Sequence, residues 1–224
     1  MMISLALLWL AAGSRTPAEK ALDAQDRAAL EKIAAEAALT AEMQPNDTAA
    51  QYQSALMHSL LAQLSIELGD KTLGRRAAET GIQAGQRAVK LKPNDGEFHR
   101  ILGTLCGQII PANVMSGLKY ARCAMEEVGK AIELNPKSSI NWVSRGVGNY
   151  YLPAAFGGGV NLAIQDFEKA VALDAASAEA HLWLGIALRK AGRNGEARKA
   201  LDRAVALNPN RRWAKQQREK TPAQ

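Results

Sequence analysis

Apolar residues recur at helical spacing from the start of the chain. Between about Pro17 and Glu42 they fall at Leu22, Leu30, Ile33 and Leu39, which predicts one amphipathic helix. Pro45-Asn46-Asp47 interrupts that pattern, and Asp47 or Thr48 offers an oxygen to cap the next helix. Helical segments and short breaks then alternate as far as Leu207. Asn210 is placed to cap a last helix carrying Arg211, Trp213, Lys215 and Arg218. The chain therefore reads as all-α.

The breaks resemble one another. Ala131-Ile-Glu-Leu-Asn-Pro136 matches Ala204-Val-Ala-Leu-Asn-Pro209; Ala170-Val-Ala-Leu-Asp-Ala175 and Ala88-Val-Lys-Leu-Lys-Pro93 are further copies. Ten residues after three of these marks stands a glycine: Gly103, Gly146 and Gly185; ten after Pro45 stands Ala55. Such self-similarity is the signature of a repeat architecture.

On these residues the chain resembles the tetratricopeptide repeat family, a helix–turn–helix unit of about 34 residues. The family's small residue on the first helix matches Gly103, Gly146 and Gly185, and that on the second helix Ala124, Ala163 and Ala197. Its later alanine matches Ala131, Ala170 and Ala204; its closing proline matches Pro136 and Pro209, with Ala175 departing. The aromatic slot of the first helix holds Trp142 once, and His99 and His181 elsewhere. The physical expectation is that two antiparallel helices approach closest where Gly faces Ala. The resemblance implies a right-handed α-solenoid of antiparallel helix pairs. It has three clear units (about 94–136, 137–175, 176–209) and one degenerate unit (about 45–93), in a single domain over 14–224. An N-terminal helix precedes them and a capping helix, about 210–220, closes the open end.

Spacing between the two small residues is twelve in the last unit, seventeen in the middle one and twenty-one in the first clear one. The nine and five extra residues are expected between the two helices of a unit, at Ile110 to Gly117 and Leu152 to Gly159, with Pro ending a helix and Gly shaping the crossover. In the degenerate unit Ala55 and Gly81 are separated by about fourteen extra residues, expected as longer helices.

Composition narrows the class. Of 224 residues 47% are hydrophobic and 22% charged, which excludes a disordered tail protein. Two cysteines exclude a disulfide scaffold and a four-cysteine zinc site. A Cys106–Cys123 bridge stays open if the protein is exported, although packed helix axes lie some 8–10 Å apart and bridged Cα atoms rarely exceed about 7 Å. The net charge of +6 belongs to one end: residues 187–224 carry a net +8. That end is expected to be a solvated final helix, with an anionic partner as the sharper reading. Met1 to Gly13 is apolar and ends in small residues, like a secretory signal cut before Ser14, although no basic residue precedes the run. If it is such a signal the protein is exported or periplasmic; otherwise it is cytoplasmic.

Catalytic chemistry is not indicated. Gly157-Gly158-Gly159 lacks the Lys-Ser or Lys-Thr of a phosphate loop, and reads as a crossover. His58, His99 and His181 are isolated in sequence, so neither metal nor cofactor is expected. The expected function is a non-catalytic scaffold whose concave face binds a peptide or helix of a partner protein. The alternative is a solenoid binding a small apolar ligand or lipid beside a membrane transporter. Nucleic acid is not an expected partner, and no apolar run is long enough for a transmembrane helix. The expected concave-face contacts are Arg100, Val143, Val147, Tyr150, Leu182, Trp183 and Ile186, with Arg189 and Lys190 at the rim. Of the Lys, Asn and Arg set with which the family clamps a carboxylate, Arg100 alone is present.

Overall fold

A computed structural model describes residues 15–110 and 114–223, with the backbone alone for 114–119. The apolar segment Met1 to Gly13 and Pro111 lie outside the described residues. Eleven α-helices and no strand are found among the described residues: α1 Pro17–Ala24, α2 Arg27–Met43, α3 Thr48–Leu68, α4 Lys71–Leu91, α5 Gly96–Ile109, α6 Val114–Leu134, α7 Ser139–Tyr151, α8 Val160–Leu173, α9 Ala178–Lys190, α10 Asn194–Leu207 and α11 Arg212–Glu219. The helical solenoid expected from the repeats is the fold.

The single N-terminal helix expected over Pro17 to Glu42 is two helices. Gln25 turns into the left-handed region (φ 53°), and the Asp26 side chain accepts from the Ala29 N–H to start α2. The break takes only two residues, so the apolar spacing runs across it unmarked. Thr16 and Glu19 form a reciprocal capping box on α1 with Pro17 in its first turn, a strong helix start. Asp47, Asp70 and Asp95 cap α3, α4 and α5. The last helix opens on Arg211, without a side-chain cap, and not on Asn210.

Extra residues go to different places in different units. The degenerate unit has two 21-residue helices joined at Gly69-Asp70, so its added length is helix, as expected. In the next unit the insertion is mostly helix as well: α6 also has 21 residues, against 14 for α10, and Gly117 falls inside it, not in a crossover. Only the middle unit keeps its insertion as a loop. There Pro153 leads into a short 3₁₀ turn, Ala154–Phe156, and Gly157 and Gly159 take positive φ. A Cβ on Gly158 would lie 2.3 Å from the Leu152 carbonyl oxygen, so only glycine fits.

The expected Gly–Ala approach is present in the last unit, where a Cβ on Gly185 would lie 3.0 Å from the Ala197 carbonyl oxygen, but in each unit the side chain that fills the glycine stands one turn further on. A Cβ on Gly103 would meet Val128 at 2.6 Å, on Gly146 the Phe167 ring at 2.5 Å, and on Gly185 Leu201 at 2.5 Å. Each partner stands four residues beyond the expected alanine. The glycine is a hole that a large side chain fills, while Ala163 and Ala197 are fully buried beside it. The aromatic slot is equally regular. Trp142 Nε1 donates to the Pro136 carbonyl at 2.9 Å, and the Nε2 atoms of His99 and His181 lie 2.8 and 3.2 Å from the Pro93 and Ala175 carbonyls. The slot selects a ring nitrogen that reaches six residues back, which tryptophan and histidine share.

Cys106 and Cys123 form a disulfide, with Cα atoms 6.0 Å apart. The expected helix spacing argued against it. Gly103 and Gly107 on α5 face α6, where a Cβ on Gly107 would sit 3.9 Å from that of Ala124, and this bareness lets the two backbones approach.

Candidate functional site

The inner layer consists of the odd-numbered helices, with each even-numbered helix α2 to α10 packed outside its partner. The inner layer closes on itself. α11 packs on α10 and touches α1, so the first and last helices meet. The seam is polar: Asn208 Nδ2 donates to Asp23 at 3.0 Å, Arg212 to the Ala24 carbonyl at 3.2 Å, and the side-chain amides of Gln25 and Gln216 exchange hydrogen bonds. Arg211, 3% exposed, reaches across it to the Leu22 carbonyl and pairs with both oxygens of Glu67 on α3. Inside the closed layer lies a cavity of about 520 Å³, lined by α1, α3, α5, α7, α9, the end of α10 and the start of α11.

Its wall is mainly apolar, with Leu56, Leu60, Ile101, Val143, Leu182 and Trp213 prominent. Several of its polar groups bond one another. Gln108 donates to the Ser59 carbonyl and accepts from its hydroxyl, Thr104 donates to Ser144, and Gln63 donates to Glu179 at 2.9 Å. Charge gathers at the seam end. Burial pushes the Glu67 carboxyl above its ordinary range against the pull of Arg211. Burial opposes the charge on Arg211, but Glu179, Glu67 and Asp23 together hold its pKa up.

The expected concave-face residues divide. Arg100, Val143, Val147, Leu182 and Trp183 line the cavity. Arg100 is nonetheless engaged by Glu97 at 2.6 and 2.5 Å. Ile186 is buried in the core, and Tyr150 packs edge-on against Trp183. The two rim cations are tied to structure: Arg189 bonds the Gln217 side chain and carbonyl and Thr221, and Lys190 bonds the Tyr150 carbonyl and lies 4.0 Å over its ring. The basic end is therefore only partly a solvated helix. Sequence reading missed Arg211, Glu67 and Asp23 as cavity residues. Arg211 counted only as one of a run of cations, and its partner lies 144 residues away.

Among the described residues no group of three or more His, Cys, Asp or Glu side chains is placed to hold a metal, and no helix is long and apolar enough to cross a membrane.

Residues 160–218 match the tetratricopeptide repeat family model. A thermophilic tetratricopeptide repeat protein of Thermus thermophilus shares the fold at TM-score 0.62 and 19% identity, over 89% of this chain and 91% of that one. MamA of Desulfovibrio magneticus RS-1, from residue 41, aligns at TM-score 0.49 and 16% identity over 86% of this chain and 91% of that one. YrrB, described as a tetratricopeptide repeat protein with an unusual peptide-binding site, aligns at TM-score 0.47 and 16% identity, over 90% and 88%. The last two likenesses are too loose to carry more. No curated protein matches the chain. The chain is thus a helical-repeat protein with the tetratricopeptide fold, and its match to the family model covers α8 to α11, the second helix of the middle unit, the last unit and the cap.

Proposed function

We propose that the protein is a non-catalytic binding solenoid whose recognition surface is the interior of its closed helical layer, and that it takes a small, largely apolar ligand there. The observation that carries this is the roof: α1 meets α11 over the concave face and leaves about 520 Å³ beneath. That volume falls within the span of small-molecule pockets, about 300–1,000 Å³.

Capture of a partner's peptide or helix, the common use of this fold, is the second reading. The polar character of the seam favours it, because α1 and α11 part without exposing a large apolar core. We further propose export, on the apolar run Met1 to Gly13 and on a disulfide of the kind that persists in oxidising compartments.

Val147 is half-buried in the cavity wall. Val147→Phe should narrow the space and weaken binding of the neutral apolar dye Nile red several-fold, with little change in melting temperature. Dye binding equal to that of the native protein would reject the interior as the site.

A further inference from the structure

We propose that the protein rests against the surface of an anionic bilayer through the loop that joins α7 to α8. Phe156 enters the headgroup boundary there, and the cations beside the loop meet the acidic headgroups. This goes beyond the interior site and does not depend on it. The loop is an addition to the repeat. The last unit passes from α9 to α10 through Ala191 to Arg193, whereas the middle unit uses Leu152 to Gly159 for the same turn. Insertions in a repeat array collect as loops on one face, often the binding face.

What this insertion exposes is apolar. Pro153, Ala154, Ala155, Phe156 and Gly157 are exposed in succession, and Leu162 follows in the first turn of α8. Phe156 keeps 52% of its surface and Leu162 42%. The exposed run has no polar side chain by which a partner protein could be read. Its backbone donors are also occupied. The N–H groups of Phe156 and Gly158 donate to the Pro153 carbonyl, that of Gly157 to Ala154 and that of Gly159 to Asn149, at 2.8–3.2 Å. The tip therefore enters a poorly hydrated layer without stranding these four donors, and none of them is free to pair with a peptide strand.

Charge surrounds the loop with one sign. Residues 134–165 and 180–195 contain no Asp or Glu. The Lys190 ammonium donates to the Tyr150 carbonyl, at the start of the loop. Beside Lys190, Arg189 donates to Thr221, which follows Lys220, and Arg198 donates to the Thr221 carbonyl. The acids of α10 are already engaged, Glu196 by Arg193 and Asp202 by Arg218. Glu219 is the acid left beside the cations, so Lys190, Arg198 and Lys220 outweigh it. An aromatic tip backed by cations matches an anionic bilayer surface, which is apolar at the acyl boundary and negative at the headgroups.

The test is flotation of the full chain with vesicles of phosphatidylcholine, alone or mixed equally with phosphatidylglycerol. The native chain should bind the mixed vesicles at least about tenfold more tightly than the neutral ones. Phe156→Ser, at an exposed position, should weaken binding to the mixed vesicles about tenfold and leave the helical dichroism and melting temperature unchanged. Lys220→Glu, also exposed, should weaken it about fivefold or more. The apolar run Met1 to Gly13 adds equally to the vesicle binding of every variant, so the loop is read from the difference between chains. A Phe156→Ser chain that binds the mixed vesicles as tightly as the native chain overturns the proposal. So does a native chain that binds neither vesicle or is indifferent to phosphatidylglycerol, and the edge then belongs to an acidic protein.

Discussion

The two halves of the solenoid solve the same packing problem with different means. The N-terminal half, α1 to α6, has its own buried cluster, built on 21-residue helices, many alanines and one disulfide. The C-terminal half, α7 to α11, has a second cluster on four helices of 13 or 14 residues and the 8-residue α11, centred on aromatic rings. Trp183 sits among Tyr150, Tyr151, Phe167 and Trp213, with centroids 5.2–6.2 Å away. Long helices bury area by length, so small side chains suffice. Short helices must bury it with large ones. Thr104 and Ser144 meet between the halves on one side of the cavity, and the α1–α11 seam meets on the other.

The strongest way to break this comparison is to remove its aromatic centre. Trp183 is 5% exposed, and Trp183→Ala should cost about 3–5 kcal/mol of folding stability. The tryptophans of the described residues, Trp142, Trp183 and Trp213, all lie in the C-terminal half. Their fluorescence reads that half, while helical circular dichroism reads both. In Trp183→Ala the fluorescence transition in denaturant should precede the dichroism transition. If the two still coincide, the halves unfold as one unit and the division is only geometric.

The disulfide tests the other half. The bridge joins residues 17 apart, and closing a loop of about that length constrains the unfolded chain by roughly 3 kcal/mol. The double change Cys106→Ala and Cys123→Ala should therefore destabilise the protein by about 2–4 kcal/mol. The loss should fall on the dichroism transition and leave the tryptophan transition in place. A shift of the tryptophan signal by the same amount would show that α5 and α6 support α7 directly.

The legibility of the two halves differs for the same reason. In the C-terminal half the last unit keeps the regular spacing of twelve and could be read from Gly185, Ala197 and Pro209, and the five extra residues of the middle unit were marked as a loop by Pro153 and Gly157 to Gly159. In the N-terminal half extra residues became helix, and small-residue spacing does not separate longer helices from a longer loop. Gly117 illustrates this: its place in the insertion predicts a crossover, yet it lies within α6. The site was legible only as a face. The positions of Val143, Leu182 and Trp183 on the inner helices follow from the repeat phase. The meeting of α1 with α11 does not, because it depends on accumulated curvature over five helix pairs and on Arg211 finding Glu67. Nothing local in the sequence encodes that closure.

The smallest effect sharpens what the halves have in common. The aromatic slot recurs across the division, as His99 in the N-terminal half and as Trp142 and His181 in the C-terminal half, and each ring nitrogen meets the carbonyl six residues back. If the slot selects a donor, Trp142→His should be nearly neutral, because the family of units already uses histidine there. Trp142→Phe keeps the ring and loses the bond to the Pro136 carbonyl. It should cost about 0.5–1.5 kcal/mol, the usual net value of one hydrogen bond. Trp142 also packs beneath Arg145, whose guanidinium carbon lies 4.3 Å from the ring centroid, and that contact survives better with Phe than with His. The two substitutions therefore oppose each other. A histidine variant more stable than the phenylalanine variant, read from their midpoints in denaturant, makes the hydrogen bond the selected feature. The reverse order makes it the stacked ring.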